Sequence, residues 1–467
     1  MLTLEETVDV TAPPDAAFAY LADFANVRRW DPSVLTARQT SSGRPREGTR
    51  YRLKLLFGVR PVPMEYRITA LEAPRRLVLE GAGASFNAED RITLTPLENG
   101  TRVHYRADIR FQSPLPHKLE ALVALLVRRN GRRAVENLRE QLSGGGPAPR
   151  LTLTTRMVDQ AILPGMLGFT RLGYRLGKNR WPLPHRALEG RTVVLTGGTS
   201  GIGRAAAFQL ADLGARLVLV GRDRAKTERL APLLRDAEGR KAAVEIADLS
   251  CMAEVRALAG RIAERFPAVH VLINNAGALF NRRETTSEGL EKTLATDLLG
   301  PFLLTRRLRP VLAAGAPARI VTVSSGGMYT RGIDLDNLES AKGVYDGAEA
   351  YARAKRGLVM LTESWARQLA PLGISAHAMH PGWVDTPGLA ASLAGFHQRM
   401  RPWLRTPEEG ADTITWLAAA PEAGRTMGLF WRDRLPRATH VFPGTQAPPE
   451  AYGELVHRLT RLAQSTA

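Results

Sequence analysis

The sequence predicts two domains of different class: an α+β domain, in which a curved antiparallel sheet wraps one long helix, followed by a doubly wound α/β domain. Three observations carry this. Up to about residue 145, apolar and polar residues alternate in several segments separated by turn residues. From Arg191 onward, short and almost wholly apolar strands alternate with amphipathic helices, the pattern of a parallel sheet covered on both faces. Between the two lies a junction with Pro147, Pro149, Pro182 and Pro184. The 467 residues are also about three times the ~150 that a single domain occupies.

Composition narrows the class. Apolar residues make up 44% and charged residues 24%, ordinary values for a globular chain. The single Cys251 allows neither an internal disulfide nor a Cys-rich zinc site, which suits a reducing cytosol. Apolar runs stay well short of the roughly 18 to 20 residues of a spanning helix. Met1 begins directly on alternating sequence, so a cytoplasmic location without anchor or signal peptide is expected. The formal charge of +18 is mostly arginine spread along the chain, and aromatics are 6%, so a nucleic-acid interface is not expected. The sign does suit phosphate cofactors or lipid head groups.

In chain order, Leu2–Val10 alternates as a strand, and Pro13-Pro14 opens a helix carrying Phe18, Leu21 and Phe24. Strands follow over Thr49–Leu56, Met64–Leu71, Arg76–Glu80, Asp90–Leu94 and Thr101–Ile109, with Glu98-Asn99-Gly100 as a hairpin turn. Helical spacing runs from Leu115 to Leu142, and Ser143–Gly146 ends it. The expected divisions are a first domain over 1–146, a linker over 147–187 and a second domain over 188–467. Within the linker, Met157–Leu176 with Arg171, Arg175 and Lys178 reads as an amphipathic helix packed on one domain, or alternatively as a membrane-surface or partner helix. The second domain then runs Thr192–Thr196, Gly203–Leu213, Arg216–Val220, Ala225–Asp236, Ala243–Ile246, Met252–Arg265 and Val269–Ile273, and continues through Arg319–Val323 to Ile374–Met379.

The chemistry gathers in the second domain. Strand Val193–Leu195 runs into Thr196-Gly197-Gly198-Thr199-Ser200-Gly201-Ile202-Gly203 and then a helix. Such glycines allow a tight turn and bring backbone N–H groups to a pyrophosphate at the helix N-terminus. The second strand ends at Gly221-Arg222, where an NAD-preferring fold carries an acidic residue. A guanidinium there pairs with a 2′-phosphate, which favours NADP. Asp248-Leu249 and Asn275-Ala276-Gly277 fall at carboxyl ends of strands, where open α/β sheets bind ligands. Tyr351 and Lys355 share a helix face at i, i+4, and the ammonium is expected to draw the phenol's pKa down toward working pH. Tyr351 then exchanges a proton with a carbonyl or alcohol oxygen that one of Ser324-Ser325 holds. His377 and His380 lack companions at metal spacing and read as core, so no metal is expected. Leu389–Leu404, with Phe396, Met400 and Trp403, reads equally as an apolar lid or a packing helix.

Two resemblances add to this. Ala12–Phe18, Phe24-Ala25-Asn26 and Trp30-Asp31-Pro32, with the order of elements, resemble the START-like superfamily in its polyketide-cyclase and ligand-transport branch. That implies a helix-grip fold binding an apolar small molecule. Trp30 reads as core packing or ligand wall. Residues 188–440 closely resemble the short-chain dehydrogenase/reductase family, with a Rossmann-type sheet and hydride transfer between a nicotinamide and a carbonyl/alcohol pair. The resemblance makes Tyr351 the acid/base, Lys355 its pKa-lowering and ribose-holding partner, and Ser325 the substrate-positioning hydroxyl. It sets Pro381, Gly382 and Thr386 beside the nicotinamide, and it implies a dimer or tetramer. Ser324–Met328, His380–Gly388 and Gly410–Thr413 narrow it toward the retinol-dehydrogenase-like reductases. One residue departs: Asp297 stands where the family has Asn to hold water toward the lysine. Either a carboxylate there keeps Lys355 charged and offsets its pull on Tyr351, or the backbone does the holding and tolerates the swap. The expected function is NADP-dependent carbonyl/alcohol interconversion on a lipophilic substrate that the first domain captures or presents. The alternative is a non-catalytic nucleotide- and lipid-binding protein.

Overall fold

In the computed structural model, the described residues are 2–57, 60–98, 100–112, 127, 130–139, 142, 151, 167–177, 183, 186–441 and 444–466. They fall into two compact units, Met1–Ala148 and Pro149–Ala467.

The first unit is one antiparallel sheet of β1 (Leu2–Val10), β2 (Val34–Gln39), β3 (Arg50–Phe57), β4 (Arg60–Glu72), β5 (Arg76–Gly83), β6 (Phe86–Leu97) and β7 (Gly100–Phe111). The strand order is β1-β7-β6-β5-β4-β3-β2, so consecutive strands are neighbours and only β1 closes back, onto β7. Strand β2 went unread in the sequence. The expected helix over 115–142 lies largely outside the described residues, though 130–139 is helical and buries Ala134, Val135 and Leu138. Gly100 at the β6–β7 turn has φ +140°, and a Cβ there would stand 2.0 Å from the Val10 carbonyl oxygen.

Along β6 the buried positions alternate as Phe86, Ala88, Asp90, Ile92 and Leu94, so Asp90 occupies an inward position otherwise held by apolar residues. Tyr105 donates to its Oδ1 at 2.8 Å, and Tyr66 also hydrogen-bonds it. Gly81 makes this possible: a Cβ there would fall 2.5 Å from Tyr66 Cζ. Trp30 is buried, edge-on to Tyr105 with centroids 5.7 Å apart.

The second unit carries β8 (Thr192–Thr196), β9 (Arg216–Gly221), β10 (Ala243–Ile246), β11 (Val271–Asn274), β12 (Ala318–Val323), β13 (Ile374–Met379), β14 (Phe430–Arg432) and β15 (Leu435–Arg437). The order is β10-β9-β8-β11-β12-β13-β14-β15, parallel except for the final β14–β15 pair. The chain turns outward in opposite directions from β8 and β11, and a crevice opens at their carboxyl ends. The sheet core includes Val193, Leu195, Leu219, Leu272, Ile273 and Ile320, all inaccessible. Helix Gly347–Leu369 is capped by Asp346, whose Oδ1 accepts the Ala348 and Glu349 N–H groups. Of the expected amphipathic helix over 157–176, residues 157–166 lie outside the described residues. Arg171–Gly177 is helical and packs within the second unit, where Arg171 meets Glu409 at 3.2 Å. Lys178 also lies outside the described residues.

Candidate active site

The crevice is a cleft of about 880 Å3 at the switch point. Its floor at one end is the glycine turn. Gly197 has φ +66°, and a Cβ on it would meet Ala276 Cα at 2.8 Å. A Cβ on Gly203 would sit 2.1 Å from the Gly197 carbonyl oxygen, so helix Gly201–Asp212 approaches the turn at backbone distance. Thr196 knits the two central strands. Its hydroxyl donates to the Ile273 carbonyl at 3.1 Å and accepts the N–H groups of Asn275 and Ala276 at 3.0 and 3.1 Å. The Asn275 amide donates to the carbonyls of Thr196 and Gly197 at 2.9 and 3.2 Å. Asn275 thus braces the turn.

Gly197, Ser200, Gly201, Ile202, Gly203, Arg222, Asp248, Leu249, Ala276 and Gly277 all line the cleft. Arg222 is exposed just beyond the end of β9. Asp248 accepts both the N–H and the hydroxyl of Ser250 at 2.8 Å through one carboxylate oxygen. Thr386 caps helix Pro387–Ser392, accepting the Leu389 N–H at 3.2 Å, and its methyl would stand 3.1 Å from a Cβ on Gly201. The glycine turn and the segment after β13 therefore approach each other closely at Gly201 and Thr386.

Ser325, Tyr351 and Lys355 line the same cleft. The two serines divide their work. Ser324, buried, donates to the Lys355 carbonyl at 3.0 Å and pins helix Gly347–Leu369 to the end of β12. Ser325 hydrogen-bonds the Tyr351 hydroxyl, and its oxygen accepts the Gly327 N–H at 3.2 Å. The Lys355 Nζ lies 5.4 Å from the centroid of the Tyr351 ring and donates to the Val323 carbonyl at 3.3 Å.

Asp297 lies in a wide helical turn, Ala295–Leu299, and is fully buried. Its Oδ1 accepts the Ala278 N–H at 3.1 Å and meets Lys355 Nζ at 3.2 Å. Its Oδ2 is buried with no hydrogen-bond partner among the described residues. Only glycine fits at 277, since a Cβ would fall 2.4 Å from Asp297 Oδ1 and 2.8 Å from Lys355 Nζ. Burial pushes the Asp297 carboxyl up to about 6 against the pull of Lys355. Burial also opposes the Lys355 charge, but Asp297 and Tyr351 outweigh it and hold the ammonium above its ordinary pKa. Each partner's charge favours the ionised form of the other.

The expected direction for Tyr351 is corrected. Burial raises its pKa above the ordinary phenol value; Lys355 and Ser325 lower it, and Asp297 adds to the rise. The ammonium does pull as the i, i+4 spacing implied, but it does not overcome desolvation, and the Asp297 carboxylate opposes it.

Sequence reasoning missed Arg405. Its guanidinium is 1% exposed and meets both oxygens of Asp433, at 2.6 and 3.0 Å. It also donates to the carbonyls of Phe169, Thr170 and Pro381 at 3.0 to 3.2 Å. A Cβ on Gly382, whose φ is +81°, would strike the Arg405 Nε at 2.3 Å. Arg405 therefore sets the path of Pro381-Gly382. Phe169 packs 5.4 Å from Trp383, which stands 5.3 Å from Phe396; Trp383 and Phe396 line the cleft. No local pattern marks Arg405, because all its partners are distant in sequence. His377 and His380 are buried: His377 Nδ1 takes the Trp431 indole N–H, and His380 Nδ1 takes the Gly382 N–H at 3.0 Å.

A glycine-cradled crevice at a parallel-sheet switch point, with Ser, Tyr and Lys at its other end, defines a nucleotide-dependent oxidoreductase site. Residues 191–395 match the short chain dehydrogenase family, and residues 1–143 match the polyketide cyclase / dehydrase and lipid transport family. The chain belongs to the short-chain dehydrogenase/reductase family and carries a polyketide cyclase/START-like domain in front of it. It is 40% identical over 308 residues to dehydrogenase/reductase SDR family member 12 of Bos taurus, covering 64% of this chain and 95% of that one. It is 35% identical to retinol dehydrogenase 14 of Mus musculus, with 53% and 78% covered. Polyprenol dehydrogenase of Mus musculus is 35% identical, with 52% and 76% covered. No described helix is long and apolar enough to cross a membrane.

Proposed function

We propose that the protein is an NADP-dependent oxidoreductase that interconverts a carbonyl and an alcohol on a lipophilic substrate, with the first domain holding an apolar small molecule. The observation that carries this reading is the hydroxyl pair Ser325–Tyr351 backed by Lys355 within one cleft whose far end is the glycine turn. The cradle suits a dinucleotide, because Gly197, Gly203 and Gly277 leave room where any side chain would collide. A bound nicotinamide supplies or accepts the hydride. Tyr351 gives its proton to the carbonyl oxygen in reduction and takes it back in oxidation. Ser325 holds that oxygen, and the Lys355 ammonium stabilises the phenolate left behind. The apolar Trp383 and Phe396 on the cleft wall, and relatives named for retinol and polyprenol, support a lipophilic substrate.

Arg222, exposed at the adenosine end, supports the 2′-phosphate preference. Fluorescence titration with NADPH and NADH, then a carbonyl panel followed by absorbance loss, tests both parts. Arg222→Asp is expected to weaken NADPH binding by about ten- to a hundredfold, the worth of a charge-assisted bond, and to reverse the preference. An unchanged ratio removes the 2′-phosphate reading. Tight NADPH binding without turnover of any carbonyl leaves a nucleotide-binding protein and no reductase.

A further inference from the structure

Residues 387–403 leave the sheet as three short helical turns, Pro387–Ser392, Ala394–Met400 and Arg401–Trp403, none of which buries a residue. Leu393 and Trp403 are exposed, Trp403 by 50%. Phe169 packs on Trp383, which packs on Phe396, and this brings residues 167–172 toward the segment; Leu167 and Leu172 are about half exposed at 51% and 49%. The other large exposed apolar residues described in this unit, Leu233, Val344, Leu372 and Met427, lie elsewhere in the chain. Half of the set therefore belongs to these two linked segments.

The charge there is positive. Arg399 and Arg401 are both exposed. Arg171 and Arg175 share one carboxylate, Glu409, at 3.2 and 3.8 Å, and Asp385 meets His397 at 2.7 Å, so four arginines stand against two carboxylates. Inward, the rim continues into the cleft through Leu389, Leu393 and Phe396, so exposed apolar surface and cleft wall are contiguous.

We propose that this rim, residues 167–172 together with 387–403, docks on an anionic lipid bilayer. Tryptophan and leucine side chains suit the headgroup boundary, while arginines at the same level reach lipid phosphates, and the two contributions together give reversible surface binding. A bilayer presents to the cleft the phase in which an apolar substrate dissolves. This substrate route rests on the function proposed above; the docking does not. It also moves surface attraction from the junction arginines, which Glu409 partly neutralises, to the segment after β13.

The test is co-sedimentation of the full chain with vesicles of phosphatidylcholine alone or with added phosphatidylglycerol, at low and high salt. Binding is expected to be at least about tenfold tighter to the anionic vesicles at low salt, and to weaken with salt. Arg399→Glu with Arg401→Glu is expected to weaken it about tenfold or more, and Trp403→Ser several-fold. NADPH titration of each variant is expected to match the parent, which separates docking from the nucleotide site. The proposal is overturned if the parent ignores anionic vesicles or if binding survives both variants, which would place it elsewhere on the chain. It is equally overturned if Trp403→Ser disperses a vesicle-independent oligomer, which would assign the face to a second copy.

Discussion

Asp90 in the first unit and Asp297 in the second are both buried carboxyls, and the two units accommodate them differently. Asp90 is surrounded by the neutral hydroxyls of Tyr66 and Tyr105, and burial pushes its pKa up to about 7. Asp297 stands 3.2 Å from Lys355, and burial pushes it only to about 6. Phenols satisfy lone pairs without supplying charge, so Asp90 holds on to its proton over a wider range. An ammonium supplies charge, so Asp297 ionises and passes its influence to Lys355 and Tyr351. One carboxyl belongs to stability; the other belongs to the acid/base group.

The contrast is broken most severely by removing the cation. Lys355→Met leaves Asp297 buried without its counter-charge. Unfolding by urea is expected to show a loss of about 3–5 kcal/mol in the second unit at neutral pH, with turnover falling by about 10²–10⁴. A variant as stable as the parent would mean that the pair is not buried in solution.

Asp90→Asn addresses the other side. The folded-state pKa of Asp90 lies above that of the unfolded chain, so the folded state binds the extra proton between pH ~4 and ~7. Its contribution is greatest below pH ~4 and falls as pH rises, by an amount on the order of 4 kcal/mol. Melting of the first unit across this window is expected to lose that slope in Asp90→Asn. An unaltered slope would show that Asp90 ionises normally.

Asp297→Asn is the smallest change, and it sharpens the comparison most. The amide keeps a group to accept the Ala278 N–H but removes the charge that raises the Tyr351 pKa. Reduction requires the protonated phenol, so the limb where activity declines with rising pH is expected to move to lower pH. The Lys355 ammonium is left buried without its counter-charge, so stability is also expected to fall, by less than in Lys355→Met because the Val323 carbonyl still accepts from Nζ. A superimposable pH–rate profile would assign Asp297 a purely structural role.

Much of the site was legible in the chain. The glycine turn, Arg222, the strand-ending serines and Tyr351 with Lys355 are legible from local spacing and line one cleft with Asn275, whereas Thr196 is buried outside its lining and the Ser324 hydroxyl turns to the Lys355 carbonyl. The Asn275 amide is turned to the Thr196 and Gly197 carbonyls, partners 79 and 78 residues away in the chain, so no local pattern reveals its orientation. Strand β2 escaped because its burial pattern is irregular, with Val34 and Ala37 buried three residues apart across a register shift. The terminal hairpin β14–β15 escaped because three-residue strands carry too little periodicity to register.

The sequence by itself determined the two domain classes, most of the order of elements and which side chains gather at the cleft, because these follow from periodicity and fixed spacing along one chain. The tertiary structure alone decided the direction of the Tyr351 pKa, the inward place of Asp90 and the position of Arg405. Each depends on desolvation and on charges brought close from remote positions: Asp297 lies 58 residues from Lys355, and Asp433 lies 28 from Arg405. Coulombic and solvation energies are set by distance in space and by the surrounding dielectric, and neither is written in the spacing of residues along the chain.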